Sequence, residues 1–166
     1  MTDTLVWPDG TVYTITRSGD HALEMEWQLP GGGWAPQPHV HPELTEEYEV
    51  LDGSLEILIG GEWRQLHTGE RAAVKPGEVH TFRVGADPVR VRNVHRPALD
   101  FEPYIRALCR TANERRLGDL GGVRALLYTA RLIDQYPRHS RAAGRTLNAA
   151  VPGLAALAWV FHLRPA

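Results

Sequence analysis

The chain has 166 residues, of which 43% are hydrophobic and 23% are charged, and its formal net charge is −2. This length and composition are typical of one globular domain, with or without an appendage, and exclude a chain that is disordered throughout. The single Cys109 excludes an internal disulfide, and the first residues have neither the basic start nor the apolar stretch of a secretory signal, so we expect a cytoplasmic protein.

Charge is unevenly distributed along the chain. Residues 1–102 carry 17 acidic and 8 basic side chains, whereas residues 103–166 carry 3 acidic and 10 basic ones. A basic segment can bind nucleic acid or an anionic membrane, but these arginines are dispersed and form no run of five. We therefore expect no nucleic-acid partner and interpret the arginines as a solvated or barrel-facing surface.

The first half of the chain has the pattern of short β-strands. Residues 11–16 are rich in β-branched and aromatic types, and apolar side chains alternate with polar ones over residues 23–29. This alternation predicts strands with one side toward a core and the other toward water. Further strands are predicted at residues 47–51, 54–58, 62–66, 79–84 and 89–95. Because Asp52-Gly53 accepts the positive φ angles of a tight turn, we expect the strands on either side of it to pair as a hairpin within a meander.

Two histidines and a pair of carboxylates lie close together ahead of that turn. His39 and His41 are two residues apart, so in an extended segment both side chains point the same way. Two imidazoles and one carboxylate can hold a divalent transition metal and leave coordination positions open. In a strand, alternate side chains share a face, so Glu46 lies on the same side as Tyr48 and Val50, and Glu47 lies on the opposite side. This favours Glu46 over Glu47 as the third ligand.

His80 and His95 are inward-facing histidines in two later strands. His80 shares a strand face with Phe82, where a buried imidazole without a polar partner is costly, and metal ligation supplies a partner. His95 shares a face with Asn93 and could line the cavity, although a hydrogen-bonded histidine at a strand end fits the same pattern. Glu43 is interpreted as a rim residue because its spacing from the histidine pair is poorer.

Beyond Pro97 the spacing of apolar residues becomes helical. Two stripes predict two helices. They consist of Phe101, Ile105, Leu108 and Ala112, and of Val123, Leu126, Leu127, Ala130 and Ile133. A third stretch, residues 153–163, is apolar nearly all round, and we interpret Pro152 as its start and expect it to be buried. It is shorter than the roughly 20 residues that a membrane span needs.

These patterns divide the chain into two predicted regions. Residues 1–101 form a β-barrel, and residues 102–166 form a helical extension packed on the barrel or on a partner subunit. Because the apolar final helix needs a cover, we expect a homodimer. His139 and His162 have no ligand spacing and are interpreted as surface or helix-end histidines.

The spacing of the candidate ligands resembles the two motifs of the cupin superfamily. The first motif is glycine, five residues, His-x-His, three or four residues, Glu, six residues and glycine. Its positions are met by Gly33, His39, His41, Glu46 and Gly53. The second motif is met at Gly69, Gly77 and His80, whereas Lys75 replaces its proline and Val84 its asparagine. The resemblance covers roughly residues 5–101.

This resemblance implies a fold and a set of ligands. The fold is a mainly β, antiparallel jelly-roll barrel followed by C-terminal α-helices. The implied ligands are His39, His41, Glu46 and His80, and the implied cofactor is a divalent transition metal such as Fe, Mn, Ni or Zn.

The resemblance also implies a range of activities. Metal-bearing cupins include dioxygenases, oxidases, decarboxylases and isomerases. We therefore expect a metal-dependent, dioxygenase-like or isomerase-like enzyme that acts on a small organic molecule able to bind the metal through oxygen atoms. Tyr48 and His95 are the candidate catalytic residues by position. The alternative is a non-catalytic cupin that binds or senses a small molecule.

Overall fold

A computed structural model describes residues 3–33, 35–117 and 122–165 of the chain. This described part contains eleven strands and three helices. The strands are Asp3–Val6 (β1), Val12–Gly19 (β2), Ala22–Leu29 (β3), His39–Val40 (β4), Thr45–Asp52 (β5), Ser54–Ile59 (β6), Glu62–His67 (β7), Arg71–Val74 (β8), His80–Val84 (β9), Val89–Arg96 (β10) and Arg141–Ala142 (β11). The helices are Phe101–Glu114 (α1), Gly122–Gln135 (α2) and Arg145–Val160 (α3).

The strands form two antiparallel sheets. The first sheet has six strands in the order β1-β2-β3-β10-β5-β8, and the second has five in the order β11-β4-β9-β6-β7. The predicted antiparallel jelly-roll architecture with C-terminal helices is confirmed. Its predicted closure is not, because among the described residues no strand pairing joins one sheet to the other.

The core lies between the two sheets, where their inner faces meet. In β3 the alternation is as predicted: Leu23, Met25 and Trp27 are buried, and the polar residues between them are not. The Trp27 ring lies 5.9 Å from the Tyr48 ring of the same sheet and 5.7 Å from the Phe82 ring of the facing sheet. Burial of each such large side chain contributes about 1.5–3 kcal/mol to folding. Packing between the two sheets therefore fixes the positions of the strands and of their ends.

The predicted hairpin at Asp52-Gly53 is wrong. β5 pairs with β8 and β10 in the first sheet, whereas β6 pairs with β7 and β9 in the second. Gly53 has a φ of 86°, and a Cβ there would lie 2.8 Å from the carbonyl oxygen of Pro88. The turn therefore carries the chain across the sandwich, and it does not fold β6 back onto β5. Local turn chemistry predicted the turn but could not determine which strands pair.

The first predicted helix is confirmed and the third requires a correction. All four residues of the first stripe are buried in α1. Helix α3 begins at Arg145, so Pro152 lies inside it and is not its start. Trp159 and Phe161 at the end of this stretch are exposed, so the described part of the chain does not cover them, and their burial against a partner subunit stays a prediction. Among the described helices, none is long and apolar enough to cross a membrane.

Candidate functional site

Four side chains of the sandwich converge on one point at the open end of the core. They are His39 on β4, His41 just beyond it, Glu46 on β5 and His80 on β9, and their ligand atoms all lie within 4.8 Å of one another. The pairing of β4 with β9 places His39 directly opposite His80. Two sheets therefore meet at this cluster, since Glu46 belongs to the first sheet and the two paired histidines to the second.

The three histidines share one hydrogen-bonding arrangement. Each ring places its Nδ1 against a backbone carbonyl oxygen, which can only accept a hydrogen bond. The His39 Nδ1 lies 2.9 Å from the carbonyl of Gln37, the His80 Nδ1 lies 3.0 Å from that of Glu78, and the His41 Nδ1 contacts that of His139. Each Nδ1 therefore carries a proton, so the atom left to take a second proton or a metal ion is Nε2. This is the tautomer and orientation that metal-ligating histidines have.

The Nε2 atoms face a carboxylate, and this contact requires a cation. The Nε2 atoms of His41 and His80 lie 3.1 Å and 2.9 Å from Oε2 of Glu46. Two acceptors cannot hydrogen-bond to each other, so a proton or a metal ion has to lie between them. Consistent with this, burial alone would lower the pKa of His80, but its contacts with Glu46 and Glu78 together raise it. The donor set therefore fits a divalent metal, which would displace that proton.

The separations also fit a single ion. A metal–imidazole bond is about 2.1 Å long, so two ligand atoms on opposite sides of one ion are about 4.2 Å apart. The cluster reaches 4.8 Å at its widest. Shifts of under about 1 Å would bring all four atoms to bonding distance.

Glu46 is the anionic centre of the site. Its side chain is buried, with a residue exposure of 2%, and Asn93 donates a hydrogen bond to its Oε1 at 2.8 Å. Burial alone would raise the pKa of this carboxyl, but the surrounding His95, His41 and His80 side chains hold it well below its usual range. Glu47 lies on the other face of β5, where it approaches Arg96. The structure therefore places Glu46, and not Glu47, inside the site.

The two candidate catalytic residues both lie beside Glu46. His95 Nε2 is 3.2 Å from Oε1 of Glu46, and its ring stacks on Phe101 at 3.8 Å. Burial lowers the pKa of His95, which favours its neutral form. Tyr48 lines the cavity, and burial, followed by its interactions with Glu46, raises its pKa well above the usual value. Near neutral pH the phenol therefore keeps its proton.

His139 was misjudged from the sequence. It is fully buried between α2 and β11, where its ring packs on Tyr104 at 3.7 Å, and burial lowers its pKa to about 3. It is thus neither a surface residue nor an ordinary helix-end residue. Its carbonyl accepts the hydrogen bond from His41, which lies 98 positions away in the chain. No local spacing could have indicated this contact. His162 is exposed, as expected.

The helical extension closes one side of a cavity that is lined by three residues of the cluster, His39, His41 and Glu46. The cavity has a volume of about 520 Å³ and is lined by both sheets, by all three helices and by the segment around β11. β11 itself pairs with β4, placing Ala142 opposite His39. The cavity is of the size that holds a small organic molecule. A bound molecule would therefore contact the ligand cluster at one end and the helices along one side.

Comparisons with known proteins agree with this architecture. Residues 25–95 match the family model described as a cupin domain. The quercetin 2,3-dioxygenase of Bacillus subtilis (strain 168) is 33% identical over 81 residues, which are 49% of this chain and 24% of that protein. The chain thus spans about a quarter of the length of this curated relative.

Solved structures with the same fold include proteins from Halomonas, Shewanella and Streptomyces. KdgF from Halomonas sp. has a TM-score of 0.55 at 19% identity, over 60% of this chain and 92% of that one. An RmlC-like cupin from Shewanella frigidimarina NCIMB 400 has a TM-score of 0.56 at 15% identity, over 61% and 89% of the two chains. The polyketide cyclase RemF from Streptomyces resistomycificus has a TM-score of 0.50 at 23% identity, over 57% and 73%. At these identities the similarity concerns the fold alone.

Proposed function

Because residues 25–95 of this chain form a cupin domain, we propose that the protein binds a divalent transition metal through His39, His41, Glu46 and His80. We further propose that it is a metal-dependent enzyme, dioxygenase-like or isomerase-like. Its substrate is a small organic molecule that enters the cavity and binds the metal through oxygen atoms. The metal is one that suits mixed nitrogen and oxygen ligands, such as Fe, Mn, Ni or Zn.

The observation that carries this proposal is the shared tautomer of the three histidines. Each Nδ1–H donates a hydrogen bond to a backbone carbonyl, and the Nε2 atoms point toward one another and toward the buried carboxylate of Glu46. An arrangement of acceptors without donors is costly in a protein interior unless a cation occupies it. Carbonyl groups that accept a hydrogen bond from the Nδ1–H of a ligating histidine fix the orientation of its ring in metal sites.

The roles of the neighbouring residues follow from their protonation. Three neutral imidazoles and one carboxylate would leave a bound dication with a net charge of +1, which polarises a substrate oxygen or, for a redox metal, supports reaction with dioxygen. Tyr48 lines the cavity and keeps its phenolic proton, which supports a role as hydrogen-bond donor to a substrate oxygen. His95 places its Nε2 3.2 Å from Oε1 of Glu46, and we propose it as the second catalytic residue.

The choice between an enzyme and a binding protein rests on different observations. The partial similarity to a quercetin 2,3-dioxygenase and the complete ligand set support the dioxygenase-like enzyme. The alternative is a non-catalytic cupin that binds or senses a small molecule. It is favoured by the raised pKa of Tyr48 and the stacked, buried ring of His95, which leave neither residue a ready proton acceptor.

Elemental analysis tests the metal site directly. Protein purified without added metal or chelator should contain close to one equivalent of a transition metal, and the His39→Ala/His80→Ala double variant should contain almost none. Wild-type protein that holds no metal and also takes up no added Fe(II), Mn(II), Ni(II) or Zn(II) would refute the proposal.

Oxygen consumption then separates the candidate activities. Metal-loaded protein is mixed with a panel of molecules that carry adjacent hydroxyl and carbonyl groups, and dissolved oxygen and substrate are followed together. Substrate-dependent oxygen uptake supports the dioxygenase, and turnover without oxygen uptake supports the isomerase. Saturable binding of panel members without turnover favours the binding protein.

The organisation of the chain is a further proposal. We retain the division into a β region, residues 1–101, and a helical extension, residues 102–166, in a cytoplasmic homodimer. The exposed Trp159 and Phe161 at the end of α3 support the dimer, since a second copy would cover them. Sedimentation of the wild type and of Trp159→Glu tests it, and a monomeric wild type would refute it. Cell fractionation tests the location.

A further inference from the structure

We propose that the cavity selects an uncharged and mainly apolar molecule, and that the inner face of α2 makes the selecting contacts. This inference rests on the proposed function for the polar end of the molecule, which would lie at the histidine cluster. It adds that the rest of the bound molecule is apolar and uncharged, and that the helical extension makes the contacts that select it.

The inner face of α2 is an apolar surface that faces the cavity. Val123, Leu126, Ala130 and Ile133 follow one another at helical spacing, and all four line the cavity. Val123 and Leu126 keep 73% and 43% of their surface exposed, although apolar side chains of α1 are available for packing nearby. Because these apolar side chains lie over a buried polar cluster, a bound small molecule would cover them.

The opposite wall is aromatic. Trp27 and Phe82, from the two sheets, line the cavity and pack together with ring centres 5.7 Å apart. Phe101 of α1 lines the cavity next to the cluster and stacks on His95. A flat or branched apolar molecule between α2 and these rings would bury surface on both sides, at about 25 cal/mol for each square ångström removed from water.

Charge decides against an ionic ligand. The described residues that line the cavity include one arginine, Arg141, which is exposed, one carboxylate, Glu46, and no lysine. A carboxylate or phosphate along the α2 side would therefore lose its water without gaining a buried cationic partner, at a cost of several kcal/mol. A hydroxyl or carbonyl group at the cluster end carries no such penalty.

A pair of fluorescent dyes with the same ring system tests this proposal. N-phenylnaphthylamine is uncharged, and anilinonaphthalene sulfonate adds one negative charge to the same skeleton. Both are titrated into the full chain after treatment with a chelator, so that metal plays no part. We expect the uncharged dye to bind at least about tenfold more tightly than the sulfonate, because only the sulfonate brings an unpaired charge into the cavity.

Two matched variants locate the binding surface. Leu126→Gln changes the cavity-facing side of α2, and Leu157→Gln changes a leucine of α3 that is equally exposed, at 45%, and does not line the cavity. We expect the first to weaken binding of the uncharged dye about fivefold to tenfold and the second to leave it unchanged. Thermal melts of both variants verify that each is folded.

Three results would overturn the proposal: no binding of the uncharged dye, tighter binding of the sulfonate, or equal losses in the two variants. The last result would place the dye on the exposed surface of α3. Failure of the metal site has a different signature, since it abolishes metal uptake and leaves dye binding in chelator-treated protein unchanged.

Discussion

Replacing Glu46 by glutamine should separate the stability of the fold from the stability that a metal adds. Glu46 is buried, accepts a hydrogen bond from Asn93, and lies 2.9 Å from Nε2 of His80. Without metal, His80 can release its proton when the carboxylate becomes an amide, so no unpaired charge is left behind. The glutamine amide can also donate to His80 or His41. We therefore expect metal-free Glu46→Gln to differ from metal-free wild type by about 1 kcal/mol or less.

The Glu46→Gln substitution should reduce the stability that bound metal adds by much more than it changes the stability of the metal-free protein. One negative charge within about 4 Å of a cation contributes at least about 4 kcal/mol at an effective dielectric constant of 20, so removing it weakens metal binding at least about a thousandfold. At a metal concentration 100 times the wild-type Kd, bound metal stabilises the wild type by about 2.7 kcal/mol. For a chain of this size that raises Tm by about 5–10 °C. The variant, at a tenth of its own Kd or less, gains under about 0.1 kcal/mol.

Thermal melts with chelator and with added metal measure both quantities, and Glu47→Gln is the matched control. Glu47 is the neighbouring carboxylate on the outer face of β5, so its variant should keep the full metal-induced rise in Tm. A Glu46→Gln variant that keeps the rise, or that loses several kcal/mol of stability without metal, would refute the assignment of Glu46 as a ligand.

Three further results are expected. His41→Ala should weaken metal binding more than about 100-fold by titration calorimetry, because a ligand and its carbonyl contact are both lost, and an equal loss in Glu47→Ala would contradict the ligand assignment. Phe101→Ala should lower the free energy of unfolding in urea by about 3–4 kcal/mol, since the buried ring stacks on His95; a change below about 1 kcal/mol would contradict this packing. The hydrogen bond from Arg92 lowers the pKa of Glu24 below its ordinary 4.5, so this carboxylate stabilises the fold above that pH and the contribution disappears as the pH falls through the lowered value. Glu24→Gln should therefore be less stable than wild type by about 1 kcal/mol or less at pH 7, and the difference should shrink as the pH falls through the lowered pKa; a difference that grows in acid would contradict the sign.

The strand pattern and the ligand candidates were accessible from the sequence because each depends on a short-range regularity. Alternation along residues 23–29 is a local property of a half-buried strand, and the burial of β3 follows it. The positions of His39, His41 and Glu46 could likewise be predicted to share a side, since an extended chain has period two. Whether a metal binds there stays a prediction.

The pairing of strands could not be obtained in the same way. Asp52-Gly53 has the chemistry of a hairpin turn, but the chain uses the turn to cross between sheets. The partners of β5 are β8 and β10, which do not adjoin it in sequence. They are selected by the burial of the inner faces of the two sheets. α3 shows the same limit, because Pro152 favours the first turn of a helix and nonetheless lies in the interior of this one.

The sequence by itself determined which residue types could form a site, and on which strand faces they lie. Only the tertiary structure decided what holds them there. The carbonyl of His139 fixes the ring of His41 from 98 residues away, and α2 forms one wall of the cavity. Neither contact has a local signal, because each depends on where separate elements pack once the whole core has formed. Period and spacing act over a few residues, whereas the cavity is built from packing between elements that are distant along the chain.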